Sequence, residues 1–270
     1  MLKGIDVSYH QKIIDWAKVK AEGVDFAIIR AGYGKSTIDS QFRNNVEGCI
    51  KHGIPFGVYW FIYGINEAEA VQNAEKCHAA IAPYKDKITV KVWCDLEYDT
   101  DNNAKKRGVV LTKKTRTAMV IAFCERLKSY GYEVGNYANP DYLKTKFNDL
   151  SQYPLWLAKY SGTKGDYDCE IWQYSSKGKV DGIKGDVDMN YLYGKQVEKP
   201  VEKTEYGLPT IRKGSEGKAV KVWQAIVGVK IDGNFGTNTE AKTVEFQKGR
   251  GLAADGIVGK NTWNAGLESL

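Results

Sequence analysis

The stretch 89-TVKVWCDLEYDTD-101 decides how this chain is to be read. Val90, Val92, Trp93, Cys94 and Leu96 give it the apolar, β-branched content of a parallel-sheet strand covered on both faces. Side chains alternate across a strand, so Lys91, Trp93, Asp95 and Glu97 are expected on one face and Val92, Cys94 and Leu96 on the other. Asp95 and Glu97 then point the same way at the C-terminal end of a buried strand. Carboxylates are depleted in strands and costly to bury unpaired. Either the strand has ended and both groups are solvated, or they form a functional pair at the end of the strand where barrel active sites lie.

The neighbouring segments favour the second reading. Strand-like runs recur at 3–8, 26–32, 55–64, 89–98, 133–139 and 154–161, separated by segments with helical periodicity. The clearest of these are 67–82 and 112–131, the latter opening on a Thr112 cap and stopping at Gly131. Repeated strand–helix alternation predicts parallel strands. Two more strand candidates, 170–175 and 186–192, follow connections without helical pattern and are expected to join as hairpins, since parallel crossovers usually carry a helix. The expected fold is α/β: an irregular eight-stranded barrel, part β/α and part antiparallel. Several strands end in residues out of place in a core: Asp6, Tyr59, Phe61, Asp95, Glu97, Tyr137, Trp156, Gln173 and Asp188. Gathered on one rim, carboxylates ringed by aromatic side chains suit a sugar polymer, with flat rings stacking on pyranoses and acids acting on the acetal oxygen.

Composition narrows the alternatives. The chain has 270 residues, 43% hydrophobic and 27% charged, enough for one large folded domain and a small one. Cys49, Cys77, Cys94, Cys124 and Cys169 are scattered without a C-x-x-C, which argues against a disulfide framework or zinc ribbon. His10, His52 and His78 lack the spacing of a zinc hydrolase. No metal or cofactor is expected. The net charge of +6 fits an anionic polymer, but no basic cluster interleaved with aromatics points to nucleic acid. No apolar run reaches the roughly 20 residues of a membrane span, and MLKGIDVSYHQ lacks a signal-peptide core, so synthesis and residence in the cytoplasm are expected.

The ordered set GIDVSYHQ, DW at 15–16, FAIIRAGYG, GVYWF, D-L-E at 95–97, NYANPDYL, LWLAKY and WQYSS…VDGIKGDVDMN resembles glycoside hydrolase family 25 lysozymes over about residues 1–193. The resemblance implies an N-acetylmuramidase with five βα units and three further strands, cutting the β-1,4 bond after N-acetylmuramic acid in peptidoglycan. It also implies an acidic constellation of Asp6, Asp95, Glu97 and Asp188, with Glu97 as general acid. Trp60 stands where the family often has His.

After Gly194 the sequence changes character. Residues 194–207, GKQVEKPVEKTEYG, read as a linker rich in alternating charge. Residues 208–270 carry D-G-x-x-G-x-x-T twice, at Asp232–Thr239 and Asp255–Thr262; the glycines are expected in tight turns, with Thr or its neighbours capping the next helix. Val220, Trp223 and Val227, and Thr239, Thr243 and Phe246, fall at helical spacing for a small core. This segment resembles the three-helix peptidoglycan-binding domain of wall hydrolases. The whole then reads as a phage-type endolysin, released from the host cytoplasm to lyse the wall. A non-catalytic wall lectin and a chitinase-like glycosidase are the alternatives, although the chitinase D-x-x-D-x-D-x-E motif is missing. Met189 follows Lys184-Gly185-Asp186, which can be encoded as a purine run resembling a ribosome-binding site. An internal start there would yield a free wall-binding fragment able to assemble with the full chain; otherwise Met189 is simply a strand residue.

Overall fold

The structure, a computed structural model, describes residues 1–193 and 208–268. The expected linker, 194–207, lies outside the described residues. The chain divides into two compact units, Met1–Pro200 and Val201–Leu270.

In the first unit the strands close on themselves. They are β1 (Leu2–Val7), β2 (Phe26–Tyr33), β3 (Thr37–Ile38), β4 (Phe56–Phe61), β5 (Ile88–Asp95), β6 (Val134–Ala138), β7 (Leu155–Ala158), β8 (Ile171–Gly178) and β9 (Val187–Leu192). Neighbours run β1-β2-β4-β5-β6-β7-β8-β9 and back to β1, an eight-stranded barrel with β3 hanging on the end of β2. Pairing is parallel from β1 through β8, and antiparallel where β9 joins β8 and β1. The β8–β9 hairpin follows the expectation; β7–β8 does not. Those two strands are parallel although no helix lies between them, because the twelve residues from Lys159 to Glu170 are long enough to cross over as loop.

The outer layer comprises α1 (Trp16–Ala21), α2 (Phe42–Lys51), α3 (Glu67–Ile81), α4 (Tyr98–Lys106) and α5 (Lys113–Ser129). The Thr112 hydroxyl accepts from Thr115 N at 3.1 Å and so caps α5 as expected. Outward residues of the strands, such as Ile29, Val58, Val92 and Cys94, pack with Val46, Ala74, Val120 and Phe123 of the helices in one large core. Inside the barrel a second core holds Phe26, Ile28, Trp93, Trp156 and Ile171. Gly135 makes room for one of these rings: a Cβ there would stand 2.3 Å from Trp93.

Strict alternation along β5 fails at one residue. Lys91 takes φ 65, and the register with β4 slips between Phe56↔Ile88 and Val58↔Val92. This bulge turns both Val90 and Trp93 into the barrel and sends Lys91 elsewhere, with its Nζ 2.6 Å from Glu170 and 3.5 Å from Glu133. Alternation resumes beyond it, so Trp93 and Asp95 do share the inner face while Lys91 does not. The strand then ends at Asp95 and α4 begins directly after Glu97.

The second unit is helical: α6 (Lys218–Ile226), α7 (Thr237–Gly249) and α8 (Lys260–Leu267) around Val220, Trp223, Phe235 and Trp263. The repeated D-G motifs are turns, with φ 84 at Gly233 and φ 72 at Gly256. The threonines have a different duty from the expected cap. Gly236 and Gly259 occupy the cap positions, and Thr239 and Thr262 are buried beneath them. Gln224 Nε2 donates to Asp232 Oδ1, Asn234 O and Thr239 Oγ1 while its Oε1 accepts from Gly233 N. Gln247 repeats the set on Asp255, Ile257, Thr262 and Gly256. Each motif is thus one buried glutamine wrapped by its turn.

Candidate active site

Parallel strands deliver their C-terminal residues to one mouth of the barrel. Asp6 is the last residue but one of β1, opposite Asp188 of β9, and Asp95 ends β5 between Phe61 of β4 and Tyr137 of β6. Glu97 follows two residues later, on the first turn leading into α4. Its backbone N–H donates to Thr100 Oγ1 at 3.3 Å, and that hydroxyl donates to Ile62 O at 2.6 Å, which ties the Glu97 backbone to the end of β4.

Asp6 is 5% exposed and held by two amides. Gln173 Nε2 and Asn190 Nδ2 both donate to its Oδ2, at 2.8 and 2.7 Å. Each amide is itself oriented: Tyr137 and Tyr160 hydroxyls donate to Gln173 Oε1 at 3.0 and 2.8 Å, and Trp156 Nε1 donates to Asn190 Oδ1 at 2.8 Å. Asp95 is also 5% exposed, and its buried Oδ1 has no hydrogen-bond partner.

Burial raises all four carboxyls, and neighbouring carboxylates add to it at Asp6, Asp95 and Glu97. Burial, then the charge of Asp188, pushes Asp6 well above the usual carboxylate range, against the lowering effect of its amide donors. Burial raises Asp188 to about 6. Burial, then the adjacent Glu97, raises Asp95 strongly. Glu97 is raised too, by burial first, opposed by a hydrogen bond from Asp95 and supported by the charges of Asp99 and Asp188. Two neighbouring buried acids cannot both ionise cheaply, so Asp95 and Glu97 retain a proton at pH values where a solvated carboxyl would have lost it.

This is the arrangement of a glycosidase, and the comparisons agree. The model of Glycosyl hydrolases family 25 matches residues 5–183, well over half of the chain. The chain belongs to that family. In this family 25 enzyme a second model, Putative peptidoglycan binding domain, matches residues 218–265. The autolytic lysozyme of Clostridium acetobutylicum is 24% identical over 336 residues, covering 99% of both chains. Among solved structures, the modular autolysin LytC of Streptococcus pneumoniae, in complex with a synthetic peptidoglycan ligand, is 26% identical with a TM-score of 0.63. The match covers 71% of this chain but only 46% of LytC. The CTP1L endolysin, whose activity is regulated by a secondary translation product, is 25% identical with a TM-score of 0.61 over 72% of this chain and 67% of its own.

The family 25 barrel brings the expected side chains to the mouth at two depths. Tyr59 and Phe61 are half-buried on β4, and Phe61 packs against Tyr63 with ring centres 5.0 Å apart. Trp156 is 2% exposed and lies edge-on to Tyr59, Trp93 and Tyr137, so its faces belong to the barrel core and not to an open rim. Gln173, 3% exposed, and Tyr137, 7% exposed, likewise act on Asp6 from below. The open aromatic rings stand one step further out, on residues following β1, β5 and β7: Tyr9, Tyr98 and Tyr160, 38, 46 and 57% exposed. Sequence reading passed over these, as it did Asn190 and Arg30. Arg30 packs under Tyr9 and Tyr33 and pairs with Asp39 through Nε at 2.7 Å. A signal for Asn190 existed: it lies two residues after Asp188 and so shares its face. A cavity of about 860 Å³ lies elsewhere, and none of the four acids lines it. The converging acids, not cavity volume, mark the candidate active site.

Proposed function

We propose that this family 25 enzyme, a hydrolase of peptidoglycan, cuts the β-1,4 bond between N-acetylmuramic acid and N-acetylglucosamine, with Glu97 as general acid. The observation that carries the reading is the convergence of Asp6, Asp95, Glu97 and Asp188 on one barrel mouth with every carboxyl raised by burial. Glu97, half-buried beside the more enclosed Asp95, presents the pair's proton to the leaving oxygen, an effect worth about 10²–10⁴ in rate. For the second half of the reaction, an acid can act on water or on the anomeric carbon, or the substrate's acetamido group can attack. Two observations favour the acetamido route: Asp6 Oδ2 is occupied by two donors, whereas Asp95 Oδ1 is free to receive the acetamido N–H. Tyr59, Phe61, Tyr9, Tyr98 and Tyr160 supply rings for the glycan, while Tyr137, Trp156 and Gln173 hold the acids in place.

The division into a catalytic barrel (1–193), linker (194–207) and wall-binding domain (208–270) gives the enzyme a tether, which raises local concentration at the wall without new chemistry. In this reading the enzyme accumulates in the cytoplasm of a phage-infected host and lyses its wall on release. Self-association through a product begun at Met189 is part of the same proposal, supported by the likeness to CTP1L. Silent changes in the Lys184-Gly185-Asp186 codons, with mass spectrometry of any small product, test it: a yield that ignores them excludes internal initiation. Digestion of purified walls tests the main reading. New reducing ends of N-acetylmuramic acid with retained configuration are expected. Reducing ends of N-acetylglucosamine would overturn the bond assignment, and inverted ends the acetamido route.

A further inference from the structure

The cavity of about 860 Å³ lies on the outside of the barrel. Gly135 and Tyr137 of β6 face the interior, so Asn136 between them faces out, and Asn136 lines this cavity. Pro154, Leu155 and Glu170, also in its wall, sit at or before the N-terminal ends of β7 and β8, the end opposite the catalytic mouth. The space exists because the β6–β7 connection carries only a five-residue π-helical segment, Tyr142–Lys146, and the β7–β8 connection no helix at all. The other β/α units fill the equivalent groove with a helix.

Its chemistry is uneven in an informative way. Asn136 is 2% exposed, yet its Oδ1 has no hydrogen-bond partner. A buried, unmet carbonyl destabilises the fold unless something supplies a donor. Around it stand aromatic rings, Tyr153, Tyr167, Tyr193 and Phe147, with the aliphatic Leu143 and Leu155. Aromatic walls with one enclosed amide, and three carboxylates (Asp149, Asp168 and Glu170) against the single cation Lys113, match an acylated sugar ring better than a phosphate or a peptide carboxylate. An acetamido group offers an N–H to Asn136 Oδ1 and a methyl to the leucines.

We propose that this outer cavity is a second saccharide site, separate from the catalytic mouth, that takes an N-acetylhexosamine residue with Asn136 Oδ1 accepting from its acetamido N–H. The choice of an amino sugar rests on the wall-glycan reading of the mouth. A site there lets the barrel hold one glycan strand while cutting another.

Titration of the ¹⁵N-labelled full chain with N-acetylglucosamine, and separately with glucose, tests it. Saturable shifts of the Asn136 side-chain amide and the Leu155 and Cys169 backbone amides are expected, at least about tenfold tighter for the acetylated sugar. Asn136→Ala should abolish them; since that change touches a barrel strand, Ser151→Trp, on an exposed turn at the cavity wall, is the second variant and should block the site while leaving cleavage of soluble glycan unchanged. Shifts confined to the mouth, equal response to glucose, binding that survives Ser151→Trp, or no shift, as for a cavity holding water only, would each overturn the proposal. Reducing-end analysis reports on the mouth alone, so failure of the catalytic reading would be seen separately.

Discussion

Burial of Asp188 beside Asp6 makes its ionisation a cost to the folded state. Its carboxyl is raised to about 6, above the ordinary value of 3.8 that the unfolded chain would show. The native state therefore binds the proton more tightly, and stability is lost as pH rises through that window. Asp188→Asn removes the charge, so it should stabilise the barrel by about 1–3 kcal/mol at pH 7, with the gain fading towards pH 4. Denaturant unfolding of both proteins at the two pH values measures this; equal stability at pH 7 would mean the acid is not strained. A second residue tunes Glu97, the proposed acid. The charge of the exposed Asp99 helps to hold Glu97 up, after burial, so Asp99→Asn should move the alkaline limb of kcat/KM to lower pH, by less in high salt. An unmoved limb would separate Asp99 from the acid. Asp95 and Glu97 were legible in the sequence because period-2 alternation puts them together. The buried roles of Trp156 and Gln173 were not: alternation tells which face a side chain takes, but how deep it sits depends on Asn190 and Asp6, which are remote in sequence.

At the scale of elements, local signals carried the reading as far as local physics decides structure. Thr112 announced its helix and the D-G-x-x-G-x-x-T repeats their turns, since caps and positive-φ glycines act within a few residues. The bulge at Lys91 was hidden, because it is imposed by pairing with β4 and by the carboxylates of Glu170 and Glu133. The helix-free parallel crossover into β8 was hidden for the same reason. In the second unit, Gln224 and Gln247 look like ordinary helix residues, yet each is 1% exposed and satisfies a whole turn. Gln247→Ala leaves the buried Gly256 N–H without its acceptor and takes a donor from Asp255 and Ile257 O, so it should cost the helical unit about 2–3 kcal/mol. Thermal unfolding of that unit checks it; a loss within about 0.5 kcal/mol would make the glutamine a bystander.

At the scale of the whole molecule, two units with separate cores predict separable functions. Residues 1–193 alone should fold and cleave soluble glycan fragments, while losing potency on intact walls; if the truncated chain aggregates, or clears walls as fast as the full chain, the units are not independent. The proposed acid role of Glu97 stands or falls on Glu97→Gln, compared with the wild-type chain for release of reducing ends from purified walls, alongside wall binding. The amide keeps the shape but has no acidic proton to give. Hydrolysis should fall by at least about 10²-fold with binding unchanged; hydrolysis within about tenfold of wild type would mean that Glu97 is not the acid.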